Sequence, residues 1–141
     1  MTDDRRSVTL TRLETGVYEA RNRRGGVLRF GSMAGDDFSP VELLLAAIGG
    51  CSAVDIDTVT SRRVEPDRFD VEVSAEKVRD EHGNHLRDIR ATFHLAFPEG
   101  EDGDKARQLA PRAAKTSHDV SCTVSRTLEL GEPVQMELDV S

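Results

Sequence analysis

The stretch from Ser39 to Val59, SPVELLLAAIGGCSAVDIDTV, decides the fold. Ser39 followed by Pro40 marks a helix start: serine suits the N-cap, and proline suits the first helical position, where a missing N–H costs nothing. From Leu43 to Ile48 every residue is apolar, so the first turns lack a polar face and must be covered on nearly all sides. At a period of 3.6, Leu44, Ala47, Ile48, Cys51, Val54 and Asp55 share one stripe. Cys51 therefore faces protein rather than bulk water.

Two readings of Cys51 follow. A lone cysteine in an apolar helix is ordinarily a small buried hydrophobe. A reactive thiol needs a lowered pKa, and so a nearby positive charge or a helix N-terminus. If the helix runs unbroken from Ser39, its start lies about 18 Å away at about 1.5 Å per residue, too far for the macrodipole to act. A break at Gly49 and Gly50 would restore that argument; otherwise activation comes from an arginine or lysine elsewhere. Asp55, one turn beyond Cys51, raises the thiol pKa unless it is paired, which implies a cationic partner.

A chain of 141 residues, 37% hydrophobic and 32% charged, reads as a single globular domain over residues 1–141. Without tryptophan and with 4% aromatics, its core must come from Leu, Val, Ile and Ala. A net charge of −7 argues against a nucleic-acid partner or an anionic membrane surface, both of which need a basic face. The N-terminus, MTDDRRSVTL, lacks the apolar segment of a signal peptide, and no run approaches the ~18 apolar residues of a membrane span. The expected location is the cytoplasm. Disulfides there are usually transient and catalytic. Cys51 and Cys122 are 71 positions apart (122 minus 51), which matches no local redox or zinc motif. Only the fold can bring them together.

Outward from the helix, Val8 and Leu10, Val17 to Ala20 and Val27 to Phe30 read as an antiparallel meander with a polar turn from Asn22 to Gly26. Residues 31–38 form a loop. The helix should fade near Arg62 or Arg63, because Pro66 forbids continuation. Phe69 to Val78 and Ile89 to Phe97 alternate apolar and polar residues, and with a polar turn from Arg79 to Leu86 they make a long hairpin. Lys105 to His118 reads as a helix, weakened by Pro111 near its first turns. Ser121 to Leu130 reads as a short helix and Val134 to Val140 as a final strand.

Cys122, in HDVSCTVSRTLE, lies near the expected N-terminus of that short helix, where backbone N–H groups stabilise a thiolate; the alternative is a semi-buried loop cysteine. Glu42 is the only charge inside the apolar run. On a straight helix it sits half a turn out of phase with Cys51 and about 13 Å along the axis, so it reads either as a solvated first-turn acid or as a group acting through another residue or chain. Arg21, Arg23, Arg24 and Arg29 belong to the meander and are either solvated or the cationic partner of a thiol. His82, His85, His94 and His118 form no metal set.

Taken together, SPVELLLAAIGGCSAVD at 39 to 55, the hairpin of two long strands and the second cysteine in SCTVSRTLE resemble the OsmC/Ohr family of peroxide-handling proteins. The resemblance covers most of the chain from about residue 27 onward. It implies an α+β fold of antiparallel sheets with a long central helix carrying Cys51, assembled as an intertwined homodimer with both sites at the interface. It further implies organic hydroperoxide as substrate, Cys51 as the peroxidatic nucleophile and Cys122 as the resolving thiol, with no cofactor and no metal. The thiolate attacks the peroxide oxygen to give a sulfenic acid, the second thiol condenses with it to a disulfide, and a dithiol reductant, such as a lipoyl group, resets the pair. The proven peroxidases of the family place a glutamate ten residues before the nucleophile, partnered to an arginine. Here that position is Val41, Glu42 stands nine before, and SCTVS replaces CPVS. Arg23 and Arg24 are the preferred arginines because their turn precedes the helix. The other class of function is a non-enzymatic dimer of the same family that binds a small apolar or electrophilic ligand or senses oxidant.

Overall fold

A computed structural model describes residues 4–33 and 35–141. Its contacts divide the chain into two compact units, Met1–Leu45 and Ala46–Ser141. The first unit holds the meander: β1 (Thr9–Glu14), β2 (Val17–Arg21) and β3 (Val27–Phe30), antiparallel in the order β1-β2-β3. Val17 and Phe30 are its buried apolar residues, and the Tyr18 and Phe30 rings lie 6.0 Å apart. The turn between β2 and β3 is closed by the Asn22 side chain, whose Oδ1 accepts from the Arg24 and Gly26 N–H groups at 3.0 and 2.8 Å. That is the turn expected at these residues, and asparagine makes it by bonding backbone a few residues on.

Helix α1 (Pro40–Thr60) starts where the proline predicts and runs through Gly49 and Gly50 without a break. Its first turn is a reciprocal capping box: the Ser39 N–H donates to Glu42 Oε1 at 2.9 Å, and the Glu42 N–H donates to Ser39 Oγ at 3.2 Å. It ends two to three residues earlier than expected. By length and mean hydropathy α1 is the one helix among the described residues that could cross a bilayer, where a count of uninterrupted apolar residues found no such run. The difference lies in the measure, since a window average tolerates Asp55 and Asp57. Ile48, Gly49, Ile56 and Thr60 are its buried residues.

In the second unit, β4 (Arg68–Asp80) and β5 (Gly83–Ala96) form a two-stranded antiparallel hairpin. Val71 faces Phe93 and Val73 faces Ala91 across the ladder, as the alternation predicted. The turn is far shorter than the expected Arg79 to Leu86. Main-chain pairing continues to Asp80 and Gly83, and the tip is stabilised by Asp80, which accepts from the His82 N–H at 2.8 Å and bonds His85 at 2.9 Å. Polar side chains there had the look of a loop, but solvent on both faces leaves the ladder's hydrogen bonds intact. Gly49 seats α1 on this hairpin, because a Cβ there would come within 2.5 Å of Val73 Cγ2 and 3.2 Å of Val71 Cγ1.

Helix α2 (Glu101–Thr116) starts four residues before the expected Lys105, since Glu101, Asp102 and Asp104 suit the positive end of a helix. Pro111 consequently falls well inside it. Then comes a π turn (Ser117–Ser121), closed by the Cys122 N–H donating to the Ser117 carbonyl at 2.8 Å, and α3 (Thr123–Leu130). The expected final strand does not form. Residues 134–140 adopt no regular secondary structure, with Met136 93% and Leu138 90% exposed. An alternating pattern makes a strand only where a sheet edge receives it.

Candidate active site

The site is built around the start of α3, and it is the π turn that aims it. One extra residue in the turn carries the chain out of α2, so that Cys122 becomes the N-cap of α3. Its Sγ accepts from the Ser125 N–H at 3.4 Å and lies 3.4 Å from Ser125 Oγ, while the Cys122 carbonyl accepts the first intrahelical bond, from Arg126, at 2.9 Å. Cys122 is fully buried and Cys51 half-buried. The two thiols stand close enough for each to shift the other's ionisation and are not joined as a disulfide. Residues 71 positions apart are thus in contact. The N–H of Val124 donates to Cys51, so consecutive amides at the start of α3 serve the two sulfurs. The positive helix end next to Cys51 belongs to α3, since α1 is unbroken beneath it.

The thiols are unequal. Burial pushes the Cys51 thiol up, the Val124 N–H pulls it down, and Cys122 and the Asp55 charge push it up again, leaving it above its ordinary value. Burial also opposes ionisation of Cys122, but bonds from the Ser125 hydroxyl and N–H, from Cys51 and from Ser52 outweigh it and hold the thiol down at about 7. Because the groups interact, the first proton belongs to the pair, and the hydrogen bonding favours the charge on the Cys122 side.

Among the described residues Asp55 meets no cationic partner of the kind its position implied. Its Oδ2 accepts from the Ser117 hydroxyl at 2.8 Å, and Ser117 is buried in the π turn. A hydroxyl satisfies the carboxylate without neutralising it, so its charge still bears on Cys51. A cavity of about 370 Å³ walled by Ile48, Ile56 and Phe93 reaches Ser52 and Ser125, while neither cysteine is part of its lining. Both serines bond Cys122, so each connects the cavity wall to the sulfur. At its rim His118 Nε2 bonds Glu129 at 3.0 Å and Nδ1 bonds Asp119 at 2.9 Å; both contacts hold the imidazole pKa above its ordinary value.

Of the other candidates, Glu42 is committed to the capping box, and the Ser39 N–H lowers its pKa. Arg23 and Arg24 occupy the exposed β2–β3 turn. Among the described residues no group of three or more His, Cys, Asp or Glu side chains is placed to hold a metal ion. Sequence reasoning passed over Ser52, Ser117 and Ser125. Ser125 carried a signal, because three residues is the distance from an N-cap to the amide it accepts from.

Fold and site define an α+β protein with a dithiol at a helix N-terminus. The sequence profile of the family described as OsmC-like protein matches residues 33–138, and the chain belongs to this family. It is 33% identical over 129 residues to an uncharacterized protein of Mycobacterium tuberculosis (strain H37Rv), covering 90% of this chain and 91% of that one. A hypothetical protein from Aquifex aeolicus has a similar structure, with a TM-score of 0.72 at 21% identity over 92% of this chain and 90% of that one. So does an organic hydroperoxide resistance protein OsmC from Legionella pneumophila, with a TM-score of 0.55 at 16% identity over 86% and 88% of the two chains. The expected fold class is therefore the observed one, with antiparallel sheets and a central helix.

Proposed function

We propose that the protein reduces organic hydroperoxides with its two thiols, Cys51 attacking the peroxide and Cys122 resolving the product to a disulfide, and that a dithiol reductant such as a lipoyl group restores the pair in the cytoplasm. The observation that carries this reading is the proximity of Cys51 and Cys122 at the start of α3, whose amides serve both sulfurs, with an apolar-walled cavity reaching the neighbouring Ser52 and Ser125. Family membership and the hydroperoxide resistance named for the Legionella protein support it. Glu42, Arg23 and Arg24 enter as assisting groups, to be tested one at a time by Glu42→Gln, Arg23→Lys and Arg24→Lys.

We also propose that the working form is a homodimer. In the single chain Val54 of α1 is 65% exposed, and the side chains of Val134, Met136, Leu138 and Val140 alternate on an unpaired segment. A second copy would cover both.

A second reading has its own support. Cys51 holds its proton more tightly than an ordinary thiol, and Val41 stands where the proven peroxidases carry glutamate. On that reading the same dimer binds a small apolar or electrophilic ligand, or senses oxidant, and is oxidised once without turning over. Consumption of tert-butyl, lipid and hydrogen peroxides with excess dithiol separates the two. The enzyme sustains turnover with an organic peroxide and loses it in Cys51→Ser; turnover that survives Cys51→Ser unchanged ends the enzymatic proposal, and one-time oxidation of wild type establishes the other.

A further inference from the structure

Solvent reaches Cys51 but not Cys122, yet the hydrogen-bond donors converge on Cys122. Its sulfur accepts the Ser125 N–H at 3.4 Å, its own thiol reaches Ser125 Oγ at 3.4 Å, and Ser52 and Cys51 stand close enough to favour its ionised form. Cys51 has the Val124 N–H and stands one turn from the Asp55 carboxylate. A sulfur at a helix N-cap, ringed by donors, is the natural seat of negative charge. The more accessible sulfur is then the one that keeps its proton.

We propose that Cys122 is the proton acceptor for Cys51: as Cys51 attacks a hydroperoxide, its thiol proton passes to the Cys122 sulfur, which Ser125 and Ser52 hold in place as positioning residues. The inference rests on the hydroperoxide reading above. The Cys51 sulfur donates an electron pair to the outer peroxide oxygen, the S–O bond forms and the O–O bond breaks. Cys51 is oxidised to a sulfenic acid and the peroxide is reduced to an alkoxide, which takes the proton from Cys122 and leaves as the alcohol. Cys122, again a thiolate, attacks the Cys51 sulfur; the S–S bond forms, the S–O bond breaks, and the departing hydroxide becomes water by taking a proton from solvent. One sulfur thus serves as base in the first step and nucleophile in the second, with the α3 amides fixed throughout.

The charged groups on α1, the π turn and α3 are Glu42, Asp55, Asp57, His118, Asp119, Arg126 and Glu129, and of these Asp55 is the one whose charge bears on Cys51. Asp55 is bonded to Ser117 and Glu42 to the Ser39 N–H, His118 is paired with Asp119 and Glu129, Arg126 with Glu129 at 2.8 Å, and Asp119 also with Lys115 at 2.6 Å.

The test uses the reduced full-length protein, with the Cys51 modification rate followed by mass spectrometry as a function of pH. Iodoacetamide and tert-butyl hydroperoxide are the two probes. In Cys122→Ser both reactions slow at neutral pH by on the order of a hundredfold, the low end of a general-base contribution, and recover in alkaline solution. Ser125→Ala moves the same profile toward higher pH by a smaller amount, and Ser125→Thr restores it, which mere loss of packing would not do. The ultraviolet absorbance of the neutral-pH thiolate persists in Cys51→Ser and disappears in Cys122→Ser. A Cys51 alkylation rate indifferent to Cys122→Ser, or a neutral-pH thiolate lost with Cys51 instead, overturns the proposal. Alkylation needs no peroxide, so the expected alkylation pattern without peroxide turnover supports the acceptor role and defeats the hydroperoxide reading alone.

Discussion

At the scale of single residues the site is a contest between burial and hydrogen bonding, decided differently for two sulfurs in contact. Asp55→Asn keeps an acceptor for the Ser117 hydroxyl and removes the charge facing Cys51, so iodoacetamide should label Cys51 a few-fold faster at neutral pH. Slower labelling would show that Asp55 matters to Cys51 through structure rather than charge. Linkage gives a second prediction. The Cys122 pKa is about 7 in the folded protein against an ordinary value of about 9, so the native state sheds this proton more readily than the unfolded chain. Its contribution to stability is complete above pH ~9 and is lost as pH falls through ~7. Cys51 is shifted the other way and adds a cost above its ordinary value. Urea denaturation under reducing conditions should therefore show wild type gaining stability over Cys122→Ser between neutral pH and about pH 9. A constant difference between the two proteins across that range contradicts the assignment.

At the scale of elements, α1 matters as a rigid floor, and the activating amides come from α3. That division depends on how closely α1 lies on β4, which Gly49 permits. In Gly49→Ala the new methyl meets Val73, a β-branched side chain with little freedom to move aside, so a loss of about 1–3 kcal/mol is expected in equilibrium denaturation. An unchanged midpoint would mean that the helix shifts without cost. The π turn is the other decisive element. With an ordinary α-helical turn in its place the sequence would advance differently, and Cys122 would lose the N-cap position that delivers the Ser125 N–H to it.

At the scale of the molecule, the apolar surface left open by α1 and by residues 134–140 exceeds what isolated exposed side chains explain. Sedimentation at micromolar concentration should show a dimer. Met136→Asp with Leu138→Asp should weaken it by placing charge on the alternating face; a stable, folded wild-type monomer defeats the dimer proposal outright. Asn22, Pro40 and the alternation in 69–78 and 89–97 announced the turn, the helix and the hairpin. The last strand was announced equally well and did not form within the chain, because a strand is a relation between two segments and the sequence describes one.

Local chemistry thus determined where α1 begins, which face the first hairpin strand shelters, and that a second cysteine would stand near the start of a short helix, whereas on the second strand Ile89 and Ala91 stay exposed. Capping, periodicity and turn formation are short-range, so neighbouring residues suffice to specify them. Only the tertiary structure decided that Cys51 meets Cys122, that Ser117 rather than a cation answers Asp55, and that the more acidic thiol is the buried one. Each of these depends on the packing of α1, the π turn and α3, and on which donors that packing leaves pointing at which sulfur.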